Sequence, residues 1–251
     1  AFAVDLVIAA TGRDRARTHA GLQLAARARG VVYATLAEAP DRLLVPGLNE
    51  GEAVAADRVV SAGSPTTNAL ALLLDALDRG TGVEYATMTS IHAYTSDQPL
   101  QDYAQGDQRR SRSAAQNIIP NANASAACVE QLLPRFAGRL SGCALNVPVQ
   151  RGSLLDLNCV LRNVVDAEAV NELMRAAAAA RPRLIAVAED PIVSSDVIGC
   201  RQTLLFDAND IDGYVYDFRR NDRLPLITYG NVDVESPAVW RLSQIRLRPQ
   251  T

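Results

Sequence analysis

The chain contains no lysine: all 25 of its basic residues are arginine. Any mechanism that needs a lysine Schiff base is therefore excluded. Histidine is nearly as scarce, with His19 and His92 the only two in 251 residues. The four cysteines, Cys128, Cys143, Cys159 and Cys200, are far apart and form no C-x-x-C pair. That spacing argues against a disulfide framework and a zinc site, and it fits reduced thiols in a cytoplasmic protein. No apolar run approaches the roughly 20 residues of a membrane span. The start, Ala1 to Asp5, has no basic segment, so no secretory leader is expected. Basic residues are scattered and the sequence pI is about 5.5, so no nucleic-acid surface is expected. No G-x-G-x-x-G turn occurs, so the usual pyrophosphate cradle of a dinucleotide is missing.

What is present is an ordinary globular composition. The chain is 48% hydrophobic with a net charge of -3, enough for one large domain or two moderate ones. Apolar runs at Val4–Ala10, Val31–Ala34, Leu43–Gly47 and Arg58–Ser61 read as strands, with a helix over 14–28 between the first two. This β-α-β rhythm predicts a parallel α/β sheet. Residues 66 to 79 predict a helix with Leu70, Leu72, Leu73, Leu74 and Leu77 on its apolar face and Gly80 closing it. Val83–Ile91 reads as a strand, 94–112 as irregular, and 114–133 as largely helical with an interruption at Pro120. Strands at Ala144–Val149, Ser153–Arg162, Gln202–Phe206 and Leu226–Tyr229 follow. Among them lies a helix over 167–179 with Asp166 as its N-cap. Long strands with flanking helices predict an α+β second domain.

Two stretches carry the chemistry. Ser61-Ala62-Gly63-Ser64-Pro65-Thr66-Thr67-Asn68 lies at a predicted helix start, and Thr89-Ser90-Ile91-His92-Ala93-Tyr94-Thr95 ends the next strand. Together they resemble the active-site core of the phosphorylating glyceraldehyde-3-phosphate dehydrogenase family, which writes the first block Ser-Asn-Ala-Ser-Cys-Thr-Thr-Asn. Further matches follow in order: Val45-Pro46-Gly47-Leu48-Asn49, Ala114-Ala115-Gln116-Asn117-Ile118-Ile119-Pro120, Ser153-Leu154-Leu155-Asp156-Leu157 and Glu189 to Asp196. The resemblance implies a partial Rossmann-like parallel sheet followed by a catalytic domain with a large mixed or antiparallel sheet. The expected division is 1–64 for the rest of an NAD-binding domain, 65–230 for the catalytic domain and 231–251 for a segment returning to the first. Roughly the first quarter of the family's chain has no counterpart here.

In that family a cysteine attacks the aldehyde as a thiolate, a histidine takes the proton as hydride leaves for NAD, and phosphate cleaves the thioester. By resemblance His92 occupies the base position and Pro65 the position of the nucleophile. Proline has no thiol, yet it suits the first position of a helix capped by Ser64, because its missing N–H would have no intrahelical partner. The resemblance assigns Ser64, Thr66, Thr95 and Asp97 to substrate or phosphate contacts. It assigns Thr11, Gly12 and Asn231 to NAD, although Thr11-Gly12 also reads as a plain turn after a strand. The family's phosphate-gripping arginine is replaced by Asn146, with Arg151 as a candidate to compensate. Its Thr-Gly pair becomes Asn123-Ala124. Arg109, Arg110 and Arg112 match a basic cluster of a loop at subunit contacts, or form a solvated charge cluster.

The coincident losses imply a homologue without the family's activity, serving as a structural or regulatory subunit. NAD binding would be weak or absent, and a homo- or hetero-oligomer is expected, since the family is tetrameric. The alternatives are a divergent NAD(P)-dependent aldehyde or sugar-phosphate oxidoreductase, and a module that binds a nucleotide or anion without turning it over.

Overall fold

The computed structural model describes residues 4–11, 17–163, 165–209, 227–230, 238–240 and 244–247. The first sheet contains β1 (Leu6–Ala9), β2 (Gly30–Tyr33), β3 (Arg42–Leu43) and β4 (Val59–Ser61). Its order is β1-β2-β4-β3 and every pairing is parallel. Helix α1 (Arg17–Ala25) crosses between β1 and β2. The predicted strand over Leu43–Gly47 shrinks to its first residue. Val45 N–H donates to the Asn49 side chain rather than to a neighbouring strand, and the Asn49 amide returns a bond to Leu43 O. Pro46-Gly47 then turns the chain away.

The second sheet is large and mixed. It contains β5 (Val83–Ala93), β6 (Ile119–Asn121), β7 (Leu140–Val147), β8 (Ser153–Leu161), β9 (Ile185–Ala188), β10 (Leu204–Asp207), β11 (Ile227–Gly230), β12 (Ala238–Trp240) and β13 (Gln244–Leu247). Its order is β6-β7-β5-β8-β11-β12-β10-β9, with β13 also on β8. β5 runs parallel to β7 and antiparallel to β8. Residues 238–240 and 244–247 pair within this sheet. β9 was not evident from sequence; it is a short run, Ile185-Ala186-Val187-Ala188, that pairs in parallel with β10.

The expectation of a helix over 114–133 is corrected. Only α3 (Ser125–Leu132) is helical, and Ile119–Asn121 forms the edge strand β6 against β7. Pro120 explains this: it has no N–H to donate, so it is tolerated on an edge strand and opposed to a helix interior.

Helix α2 (Pro65–Thr81) is the centre of the core. Leu70, Leu72, Leu73, Leu74 and Leu77 are each no more than 1% exposed. A helix apolar on so many sides must be covered on all of them, and α2 packs against α3, α4 (Ala167–Ala180) and the large sheet. Each buried leucine contributes about 1.5–3 kcal/mol. The helix does not stop at Gly80 as the sequence predicted. Gly80 lies inside it because a Cβ there would sit 2.4 Å from Leu173 Cδ1 on α4, and the cap is Gly82, at φ 68°.

A carboxylate, Asp75, lies in this core. The Asp75 side chain is 1% exposed and accepts bonds from Arg79 (3.0 Å) on its own helix, Arg135 (2.8 Å) after α3 and Arg181 (2.9 Å) at the end of α4. Burial alone would raise its pKa, but the bonds from Arg181, Arg79 and Arg135 outweigh it and hold the carboxyl below its usual value. Asp75 thus ties three helical elements through one carboxylate. Asp75→Asn removes the charge but keeps the shape, and the loss expected is about 2–3 kcal/mol. That corresponds to a fall in Tm of roughly 5–10 °C by calorimetry. Arg79→Ala, at a side chain 71% exposed, should cost well under half as much.

Candidate functional site

The β4 strand ends at Ser61, and the chain turns through Gly63 into α2 with Ser64 as N-cap. Ser64 has extended backbone angles and its Oγ accepts from Thr67 N at 3.0 Å. Pro65 occupies the first turn of the helix, where its missing N–H leaves no bond unmade. The helix start therefore tolerates the proline without distortion. It also loses one N–H to proline and commits the Thr67 N–H to the cap, which leaves fewer donors for an anion at this end.

Facing it are the ends of the central strands. Across β8, β5 and β7, Ser153, His92 and Asn146 are direct register partners. They lie side by side, because opposed residues on neighbouring strands share a face. His92 is largely buried. Its Nδ1 lies 2.9 Å from Ser153 Oγ and its Nε2 lies 3.0 Å from Ser90 Oγ. Asn123 donates to Ser90 Oγ at 2.5 Å, and the Ser90 proton has two acceptors in reach, His92 Nε2 and Cys143 O (3.4 Å). With the Ser90 proton on His92 Nε2 the ring hydrogen sits on Nδ1 and is donated to Ser153; with it on Cys143 O, Nε2–H donates to Ser90. Burial pushes the His92 pKa down to about 4. The ring is thus neutral at pH 7 and a weak proton acceptor, far from the near-neutral pKa that suits a general base.

His92 and Asn146 border a cavity of about 450 Å³, also lined by Ser64, Pro65 and Thr66 from the start of α2 and Asn121 to Ser125 from β6 and the turn into α3. Thr95, Asp97 and Arg110 complete it from the loop after β5. The Thr95 hydroxyl and the Arg110 guanidinium both bond the Asp97 carboxylate. Burial pushes the Asp97 carboxyl up, but Thr95 and Arg110 outweigh it and the pKa lies below the usual value. Asn146 is held in a string of amides. It accepts from Asn121 (3.2 Å) and donates to Gln98 (2.9 Å) and to Ala93 O (3.2 Å).

The structure brings Ser64, Pro65, Thr66, His92, Thr95 and Asp97 together around one cavity. Arg151 is exposed and does not line it, so the guanidinium there is that of Arg110. Thr11 is exposed at the end of β1 and is not part of this lining either. Gly12 and Asn231 lie outside the described residues. No cysteine lines the cavity. Cys159 is fully buried with its thiol pKa pushed far up, burial also raises the Cys128 pKa, and Cys143 and Cys200 lie against Thr89 and Gln202. No group of three metal-binding side chains occurs among the described residues. Sequence reasoning missed Ser90 and Ser153 as the partners of His92. The Ser90–His92 spacing of two in a strand was a usable signal, since it puts both on one face; the Ser153 contact depends on register.

The family model for the glyceraldehyde 3-phosphate dehydrogenase C-terminal domain matches residues 64–221. The chain belongs to the glyceraldehyde-3-phosphate dehydrogenase family. It is 39% identical over 208 residues to a glyceraldehyde-3-phosphate dehydrogenase of Kitasatospora aureofaciens, covering 82% of this chain and 62% of that protein. The enzymes of that name from Mycobacterium leprae and Clostridium acetobutylicum are 35% and 38% identical, over 83% and 82% of this chain and 62% and 61% of theirs. The chain therefore spans about three fifths of the length of these curated relatives.

The His92 environment has a consequence for stability. Unfolded His92 takes up a proton near its ordinary pKa of 6.5, whereas the folded residue does so only near 4. The unfolded chain binds more protons in that window, so stability falls as pH drops from 6.5 toward 4. Between pH 7.5 and 4.5 the chain should lose about 2–3 kcal/mol more than His92→Gln does, as read by urea melts.

Proposed function

We propose that this chain is a non-catalytic member of its family, a structural or regulatory subunit in which thioester chemistry has been lost. The observation that carries the reading is Pro65 at the first turn of α2, on the wall of the cavity that also holds His92. Covalent catalysis there needs a thiolate, and no cysteine lines the cavity. The state of His92 supports the same conclusion. Both its ring nitrogens are bonded to serine hydroxyls, and its lowered pKa makes it a poor acceptor for a proton. The electrostatics agree, because the one guanidinium in the cavity is already paired with Asp97.

NAD is the family's cofactor. The one candidate NAD contact among the described residues, Thr11, stands apart from the cavity lining. In this reading NAD binding is weak or absent. The protein is cytoplasmic and oligomeric, as a partner of its own copies or of an active relative. No helix among the described residues is long and apolar enough to cross a membrane.

A second reading is a divergent NAD(P)-dependent aldehyde or sugar-phosphate oxidoreductase, favoured by the retention of Ser64, Thr66, His92, Thr95 and Asp97 around one cavity. The two are separated by mixing the protein with glyceraldehyde 3-phosphate, phosphate and NAD and following NADH absorbance. The first reading expects no NADH above a no-protein control. Turnover, or stoichiometric NAD binding by calorimetry, would favour the second.

A further inference from the structure

The cavity lining has a chemistry of its own that the loss of a nucleophile does not account for. Three carboxamides, Asn121, Asn123 and Asn146, stand along one side of it. A carboxamide offers two donor hydrogens and two acceptor lone pairs. Asn121 spends one hydrogen on Asn146 and one lone pair on Ala122 N–H. Asn123 spends one hydrogen on Ser90 and one lone pair on Ser125 N–H. Asn146 spends both hydrogens on Ala93 O and Gln98, and one lone pair on Asn121. Donors and acceptors thus remain together on the same wall. A hydroxyl group, which both donates and accepts, satisfies both kinds at once. A phosphate only accepts, and would leave the amide lone pairs facing negative oxygens.

Charge points the same way. Asp97 and Arg110 are the charged side chains of the lining, and they bond each other. Their charges cancel and His92 is neutral at pH 7, so the cavity carries no net charge to draw in an anion. Asn121, Asn123 and Asn146 are themselves anchored by the bonds above, which pre-sets their orientation before any ligand enters.

We propose that this cavity binds a neutral polyhydroxylated molecule, of the class of an unphosphorylated sugar or polyol, through Asn121, Asn123 and Asn146. The proposal rests on the reading of this cavity as the family's site without its nucleophile, and names what that site holds. Affinity is set by hydroxyl groups and is insensitive to salt.

The test compares D-ribose with ribose 5-phosphate, which share a skeleton and differ by one charged group. Side-chain amide resonances of asparagine, assigned by single Asn→Asp substitutions, are followed by NMR during each titration at about 50 and 300 mM salt, a range over which exposed charge is progressively screened. The expected result is that ribose shifts the Asn121 and Asn123 amides, with an affinity no weaker than that of ribose 5-phosphate and unchanged by salt. Asp97→Asn, a change at a side chain 62% exposed, then frees Arg110. It should strengthen ribose 5-phosphate binding by about tenfold relative to ribose, because a charge-assisted contact is gained only by the ester. The proposal is overturned if ribose moves neither amide, or if the unaltered chain binds ribose 5-phosphate about tenfold more tightly than ribose in a salt-dependent way. An Asp97→Asn variant that gains nothing for the ester also overturns it. Because the readout is binding, a negative result here leaves the NADH assay to judge catalysis separately.

Discussion

Burial of α2 is the constraint on which the rest of the molecule depends. The helix has leucines on nearly every side, each excluded from water. It must therefore be enclosed by the large sheet, α3 and α4 together. Enclosure strands the carboxylate of Asp75 in the core, and three arginines converge on it from three elements. A buried charge left alone would be costly, so the same event that buries the leucines also aligns the ends of α3 and α4. Gly80 lets α4 approach closely enough to complete the cover.

Fixing α2 fixes where its first turn emerges, and that turn is one wall of the cavity. Ser64 and Pro65 together satisfy the helix start: one caps a donor and the other removes one. This is why a proline can stand at this helix start without cost to the fold. The opposite wall is set by register. β5 is held on both sides by long ladders to β7 and β8, so His92 cannot move without shifting its neighbours. Its two serine partners and its low pKa follow from that burial. In the loop after β5, Asp97 holds Arg110 by a contact that spans thirteen residues of chain.

Much of the fold was legible in the sequence, where a local physical signal existed. The leucine face predicted α2, Asp166 predicted the start of α4, and alternation or apolar runs predicted β4, β5, β7 and β8 to within a few residues. The errors fell where local signals conflict or are short. Alanine-rich residues around Pro120 read as helix, but an edge position in the sheet was open to a proline. Gly80 read as a stop, but it was a contact. β9 is too short to announce itself without β10 beside it.

The site divides the same way. Residue types and their order were enough to establish the family frame, the helix-start role of Ser64 and Pro65 and the missing thiol, because capping and nucleophilicity are properties of single residues and their immediate neighbours. Which guanidinium reaches the cavity was decided only by folding. Arg151 is close in sequence to Asn146 but exposed, whereas Arg110 is distant and present. The same holds for Ser153 beside His92, and for the absence of every cysteine from the cavity wall. These depend on strand register and loop path, which arise from long-range packing that no short stretch of sequence contains.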